Sequence, residues 1–134
     1  MPKGSKTCCD VMQMIFMGKR PAWVEQEDFW IGLHTADPSK GDQSTGEVSY
    51  FGYQRQRIGR EGWDCDDETI ANKDFVAFPV NAGTSTGTVR YVSIGTGREG
   101  AGQVIYAGLL KAGAVIRQNH RMRFPPGTIV VTEV

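Results

Sequence analysis

The sequence is poor in the features that mark whole classes of protein. It has no excess of charge: fifteen Lys and Arg balance fifteen Asp and Glu, for a formal net charge of +0. A nucleic-acid binder carries a basic excess or a basic stripe. Here two local groups stand out, Arg55, Arg57 and Arg60, and Arg117, Arg121 and Arg123. They are expected on solvated strand faces or against an acidic protein surface, and no nucleic-acid partner is expected. Cysteine is scarce: Cys8, Cys9 and Cys65 are odd in number, two are adjacent, and no C-x-x-C occurs. Neither a disulfide framework nor a thiolate zinc site fits that spacing, and the usage suits synthesis in a reducing cytoplasm. No apolar run approaches the roughly 18 residues of a membrane helix. The mildly apolar Val11 to Met17 is interrupted by Gln13, follows Asp10 and lacks a small-residue cleavage site, so no signal peptide and no membrane partner are expected. Histidine is limited to His34 and His120, without a G-x-S-x-G elbow or a reactive-cysteine context. No repeat of 20–50 residues is apparent, which excludes a solenoid or propeller.

What is present describes one globular domain. A chain of 134 residues buries roughly two-thirds of its unfolded surface, enough for a core without staples. With 40% apolar and 22% charged residues, it has the composition of a folded protein and not of a disordered one. The spacing divides it into an N-terminal helical arm, residues 1–20, and a β domain, residues 21–134. In the arm, Cys8, Val11, Met14 and Ile15 recur at helical spacing. Thr7 or Asp10 can cap the start, and Gly18 and Pro21 stop the helix. A helix this short is marginal alone and must dock, on its own domain or on a neighbour.

From Asp28 the period changes to two. Phe29, Ile31 and Leu33 point one way and Trp30, Gly32 and His34 the other. Ala36 to Gly46 is dense in turn formers. Val48 to Ile58 reads as a second strand with a bend at Gly52, and Arg60 to Asp74 as less regular. Further strands are predicted over Phe75 to Val80, Thr88 to Gly95, Gln103 to Leu110, Val115–Ile116, His120 to Phe124 and Thr128 to Val134. About eight short strands among seventeen glycines predict an all-β protein, an antiparallel β-sandwich or barrel with a short N-terminal helix. Phe29, Ile31, Leu33, Val89, Tyr91, Ile105, Ile129 and Val131 are the predicted core.

The fragments of chemistry each fail a physical requirement. Gly95, Gly97 and Gly100 match G-x-G-x-x-G, but a dinucleotide site needs a helix next and a strand follows here, so a hairpin loop is expected. Asp64, Asp66 and Glu68 occupy the first, third and fifth positions of a calcium-type loop. Thr69 and Phe75 then stand where the sharp-turn Gly and the bidentate Glu belong, which leaves a solvated acidic loop at residues 64–68. His34 is expected to bond loop backbone. No catalytic residue, cofactor or metal ligand is assigned. Trp23, Trp30, Trp63 and the tyrosines suit a core, a subunit contact or a sugar-stacking surface.

One stretch carries a resemblance. Phe29 to Pro38 (FWIGLHTADP), Gly41 to Val48 (GDQSTGEV) and Tyr50 to Arg55 (YFGYQR) resemble a widespread family of small tailed-bacteriophage virion proteins. Phe78–Pro79, the strand Val89 to Gly95 and the strand Gly102 to Leu109 extend the likeness over most of the chain. Some members of the family are labelled tail or fibre proteins, and similar jelly-roll proteins act as capsid decoration, or cement, proteins. The resemblance implies a jelly-roll sandwich and a non-catalytic virion protein on the outer capsid surface. Such a protein binds the major capsid protein and its own copies, as a dimer or a trimer on a capsid symmetry axis. A tail, neck or fibre component and a carbohydrate-binding host-attachment module are the alternatives. The arm departs from the family pattern. It holds four of the five methionines, a side chain that adapts to a neighbour's contour. Met12, Met14, Ile15, Phe16, Met17 and Trp23 are therefore the expected interface.

Overall fold

The computed structural model describes residues 1–132. One helix, α1 (Ser5–Met17), precedes a 3-10 turn (Ala22–Glu25) and nine strands. These are β1 (Asp28–His34), β2 (Gln56–Gly59), β3 (Trp63–Asp66), β4 (Thr69–Asn72), β5 (Val76–Ala77), β6 (Gly87–Gly95), β7 (Val104–Ile116), β8 (Arg123–Phe124) and β9 (Val130–Thr132). Every pairing is antiparallel. The four-stranded sheet has the order β2-β1-β6-β7, and the other strands form the sheets β3-β4-β9 and β5-β8. The fold is the expected antiparallel β-sandwich with an N-terminal helix, its second layer split into a three-stranded and a two-stranded sheet.

The core is built from side chains of all three sheets. Ile31 and Leu33 of β1, Val89, Val92 and Ile94 of β6, Val76, Phe78, Phe124, Ile129 and Val131 form one buried cluster. Phe78 is wholly buried and stacks on Tyr53, with ring centroids 6.2 Å apart. Among the described residues, every buried side-chain nitrogen and oxygen has a hydrogen-bond partner, as a settled interior requires.

Six of the eight predicted core residues are buried; Phe29 and Tyr91 are half-buried. Tyr91 departs because β6 itself changes phase at Arg90, where its register with β7 shifts. Val89 pairs with Ala114 and Tyr91 with Leu109, so Leu110 to Gly113 lie opposite Arg90. Beyond this irregularity, Val92 and Ile94 join the core. Phe29 is the second residue of β1 and lies under the Arg60 guanidinium, 5.0 Å from the ring centroid.

Several predicted boundaries move. Val48 to Ile58 pairs as a strand only from Gln56. Before it, the Leu33 N–H donates to the Tyr53 hydroxyl at 3.1 Å, so a side chain takes the place of the ladder. Arg60 to Asp74 is more regular than its charges suggest: it contains the β3–β4 hairpin, with Asp67 in the left-handed region at its turn (φ 57°). Val115–Ile116 belongs to β7, and His120 to Phe124 shortens to two strand residues. Of the run Thr128 to Val134, Glu133 and Val134 lie outside the described residues.

The arm is strapped to the sheet edge. Lys3 bridges to Tyr106, the Gly4 N–H donates to the Ile105 carbonyl at 2.9 Å, and the Ala107 N–H donates to that of Pro2 at 3.0 Å. The predicted cap is corrected: Gly4, not Thr7 or Asp10, is the N-cap. Thr7 lies inside the helix and donates its hydroxyl hydrogen to the Val104 carbonyl at 2.7 Å. Gly18, at φ 66°, ends the helix as expected.

Candidate functional site

The residues that carry the family-like motifs converge on a buried polar clasp on the outer face of β1 and β6. His34 ends β1, and Ser93 lies beside it on β6; both are wholly buried. The loop from Thr35 to Arg55 folds over them. Glu47 is its hub: it accepts from Arg55 Nε at 2.7 Å, from Arg55 Nη2 at 2.8 Å and from the Tyr53 hydroxyl at 2.7 Å. Burial works against the Arg55 cation, but the hydrogen bonds and charge of Glu47 outweigh it and hold the guanidinium above its ordinary range. Burial, reinforced by the bond to Glu47, pushes the Tyr53 phenol up.

The glycine-rich loop between β6 and β7 completes the clasp. Arg55 donates to the carbonyls of Gly97 (2.9 Å) and Gly100 (2.6 Å). Gln43, wholly buried, accepts from the Gly97 N–H at 2.7 Å, and its own backbone N–H donates to the Ala101 carbonyl at 2.7 Å. A Cβ on Gly95 or Gly102 would collide with the Gln43 side chain, and Gly102 also has a positive φ of 52°. The G-x-G-x-x-G run is therefore a receptacle for one glutamine and one arginine of the same chain. The strand β7 follows it, as the sequence predicts.

Of the six arginines expected on solvated faces, only Arg55 is buried; Arg57 and Arg60 stay exposed while bonding within the molecule, and Arg117, Arg121 and Arg123 are exposed. Arg55 is buried in the clasp, and Arg57 pairs with Asp28 at 2.8 Å. Arg60 donates to the carbonyls of Val24 (2.6 Å) and Gln26 (2.6 Å).

The clasp contains a nucleophile–base geometry that the sequence did not reveal, because Ser93 is 59 residues from His34. The Thr45 carbonyl can only accept, so His34 Nδ1, 2.9 Å away, carries a proton. Nε2 then accepts from the Ser93 hydroxyl at 2.7 Å. A carbonyl stands where a triad has a carboxylate, and neither side chain reaches solvent. The expected bond from His34 to loop backbone is present.

Burial pushes the His34 imidazole below its ordinary range, against the opposing pull of the Thr45 bond. The unfolded chain thus takes up this proton at a higher pH than the folded chain does. The stability that the neutral ring supplies is full above about pH 6.5 and falls as the pH drops below that value. Urea unfolding between about pH 7.5 and 5.5 should show a midpoint that declines on acidification, with the decline reduced in His34→Gln. An identical slope in both proteins would refute this role.

The surface outside the clasp is unusual at α1. On its inward side Thr7 is buried and Asp10, Val11, Gln13 and Met14 are half-buried. Asp10 accepts from Trp23 Nε1 (2.9 Å) and Gln103 Nε2 (2.9 Å), and the Gln103 and Trp23 bonds pull its carboxyl below the usual range. Cys8, Met12, Ile15 and Phe16 face outward; Ile15 is 66% exposed and Phe16 82%. Surface helices bury their apolar stripe and turn polar residues to water; α1 instead leaves Met12, Ile15 and Phe16 in water and holds Thr7 and Asp10 against the domain. Of the expected interface residues, Met12, Ile15, Phe16 and Met17 are exposed, Met14 is half-buried and Trp23 braces the arm from the side. The acidic residues 64–68 form the β3–β4 hairpin, above an apolar groove of about 570 Å³ lined by Phe29, Trp63, Ile70, Tyr106 and Val131.

A search of curated proteins finds no match to the chain. A family model does match: residues 10–132 fit the family described as podophage GP4 fiber I protein gp80. The chain belongs to that family, and is a structural protein of the phage particle.

Proposed function

We propose that this fibre I family member is a mechanical subunit of the fibre apparatus on the particle, joined to its neighbour through the outward face of α1. The mounting of α1 carries this reading. An apolar stripe of Met12, Ile15 and Phe16 in water is unfavourable by roughly 25 cal/mol per Å² of apolar surface left uncovered, and polar contacts from Thr7 and Asp10 fix its orientation before any partner arrives. Contiguous exposed apolar surface of this kind marks an interaction site. The motif residues support a mechanical role over a catalytic one, since His34, Gln43, Glu47, Arg55 and Ser93 spend their polar groups on one another.

Antibody labelling of intact particles tests the location. Label on a few fibre-bearing positions is the expected result. Label spread over the head would instead seat the chain on the outer capsid surface against the major capsid protein, and particles without label would remove both readings.

A further inference from the structure

The neutral net charge conceals a segregation. Residues 1–20 hold four basic residues and one acidic; residues 61–74 hold six acidic and one basic. The first set flanks the exposed face of α1, with Lys6 at one end and Lys19 and Arg20 just past the other. Two of the second set, Asp67 and Glu68, line the groove between β1, β7 and the β3–β4 hairpin, with Arg60, which lies over Phe29, on the same wall. Among the described residues, Asp66, Asp67 and Glu68 form no ion pair, and neither do Lys6 and Lys19.

We propose that α1 of one copy docks in the acidic-rimmed groove of a second copy, Ile15 and Phe16 entering among Phe29, Trp63, Ile70 and Tyr106 while Lys19 and Arg20 meet Asp67 and Glu68. The proposal rests on the reading of α1 as the joining arm and names its partner. Two complementary but different surfaces on one chain make a heterologous contact, which closes a ring or adds copy after copy in one direction. Apolar side chains supply the affinity, and the rim charges set the orientation and the rate of encounter.

The test is complementation between two variants of the full chain. Ile15→Gln/Phe16→Gln removes the apolar knob, keeping residues that a helix accepts. Asp67→Asn/Glu68→Lys alters the rim, and asparagine suits the positive φ of residue 67. By light scattering and analytical ultracentrifugation, the wild-type chain should self-associate, more weakly as salt rises. Either variant by itself should lose about tenfold or more in self-affinity. An equimolar mixture should recover a one-to-one heterodimer, from the intact groove of the first variant and the intact helix of the second. Circular dichroism of each variant distinguishes lost docking from lost folding. A wild-type chain that stays monomeric, a rim variant that associates like wild type, or a mixture that does not pair would each overturn the proposal. If the knob variant fails to enter particles while the wild-type chain stays monomeric, α1 meets a different virion protein, and the mechanical role stands without self-docking.

Discussion

Arg55→Met is expected to lower the free energy of unfolding by about 3–5 kcal/mol, because it strands the carboxylate of Glu47 in a site built for an ion pair. The side chains of the pair are only 3% and 16% exposed, so the stranded carboxylate would be poorly hydrated. The same change frees the carbonyls of Gly97 and Gly100, and the loop that holds Gln43 loses its anchor. Against a typical total of 5–15 kcal/mol, this is a large share. Urea unfolding measures it directly. Arg55→Met/Glu47→Gln should recover part of the loss, since it removes the stranded charge, and a double-mutant cycle isolates the coupling. A loss under about 1 kcal/mol, the size of an exposed pair, would show that the clasp is not structural.

The same clasp explains what was legible in the sequence. Alternation over Phe29 to His34 places Ile31 and Leu33 in the core, and turn formers place the loop after them. Local pattern carries such information because the pleat and the turn are local. The clasp itself was not legible: His34, Gln43, Glu47, Arg55 and Ser93 are brought together by register between β1 and β6 and by a loop closing over them, which no spacing rule encodes. The family resemblance singled out the right residues without giving their arrangement. The charged β3–β4 hairpin was missed because Asp64, Asp66, Asp67 and Glu68 obscure strand alternation in an element that is mostly exposed. In the arm, helical spacing gave the element and its stop at Gly18. It did not give the orientation, because Thr7 and Asp10, read as caps, are instead the feet on which α1 stands.

That orientation leads to the second large effect. Ile15→Gln/Phe16→Gln should leave the unfolding midpoint nearly unchanged, since exposed substitutions away from caps and buried contacts usually stay within about 0.5 kcal/mol. The same substitutions should sharply reduce entry of the protein into particles. Loss of an apolar anchor at the centre of an interface costs about 2 kcal/mol or more, and repeated contacts along an assembly multiply the deficit.

The decisive measurement is a competition within one infected culture. Wild-type and Ile15→Gln/Phe16→Gln chains are produced together at equal soluble levels, particles are purified, and the ratio of the two chains in them is read by mass spectrometry. The outward apolar face of α1 predicts particles depleted in the variant by about tenfold or more; equal amounts of the two chains in the particles would contradict it.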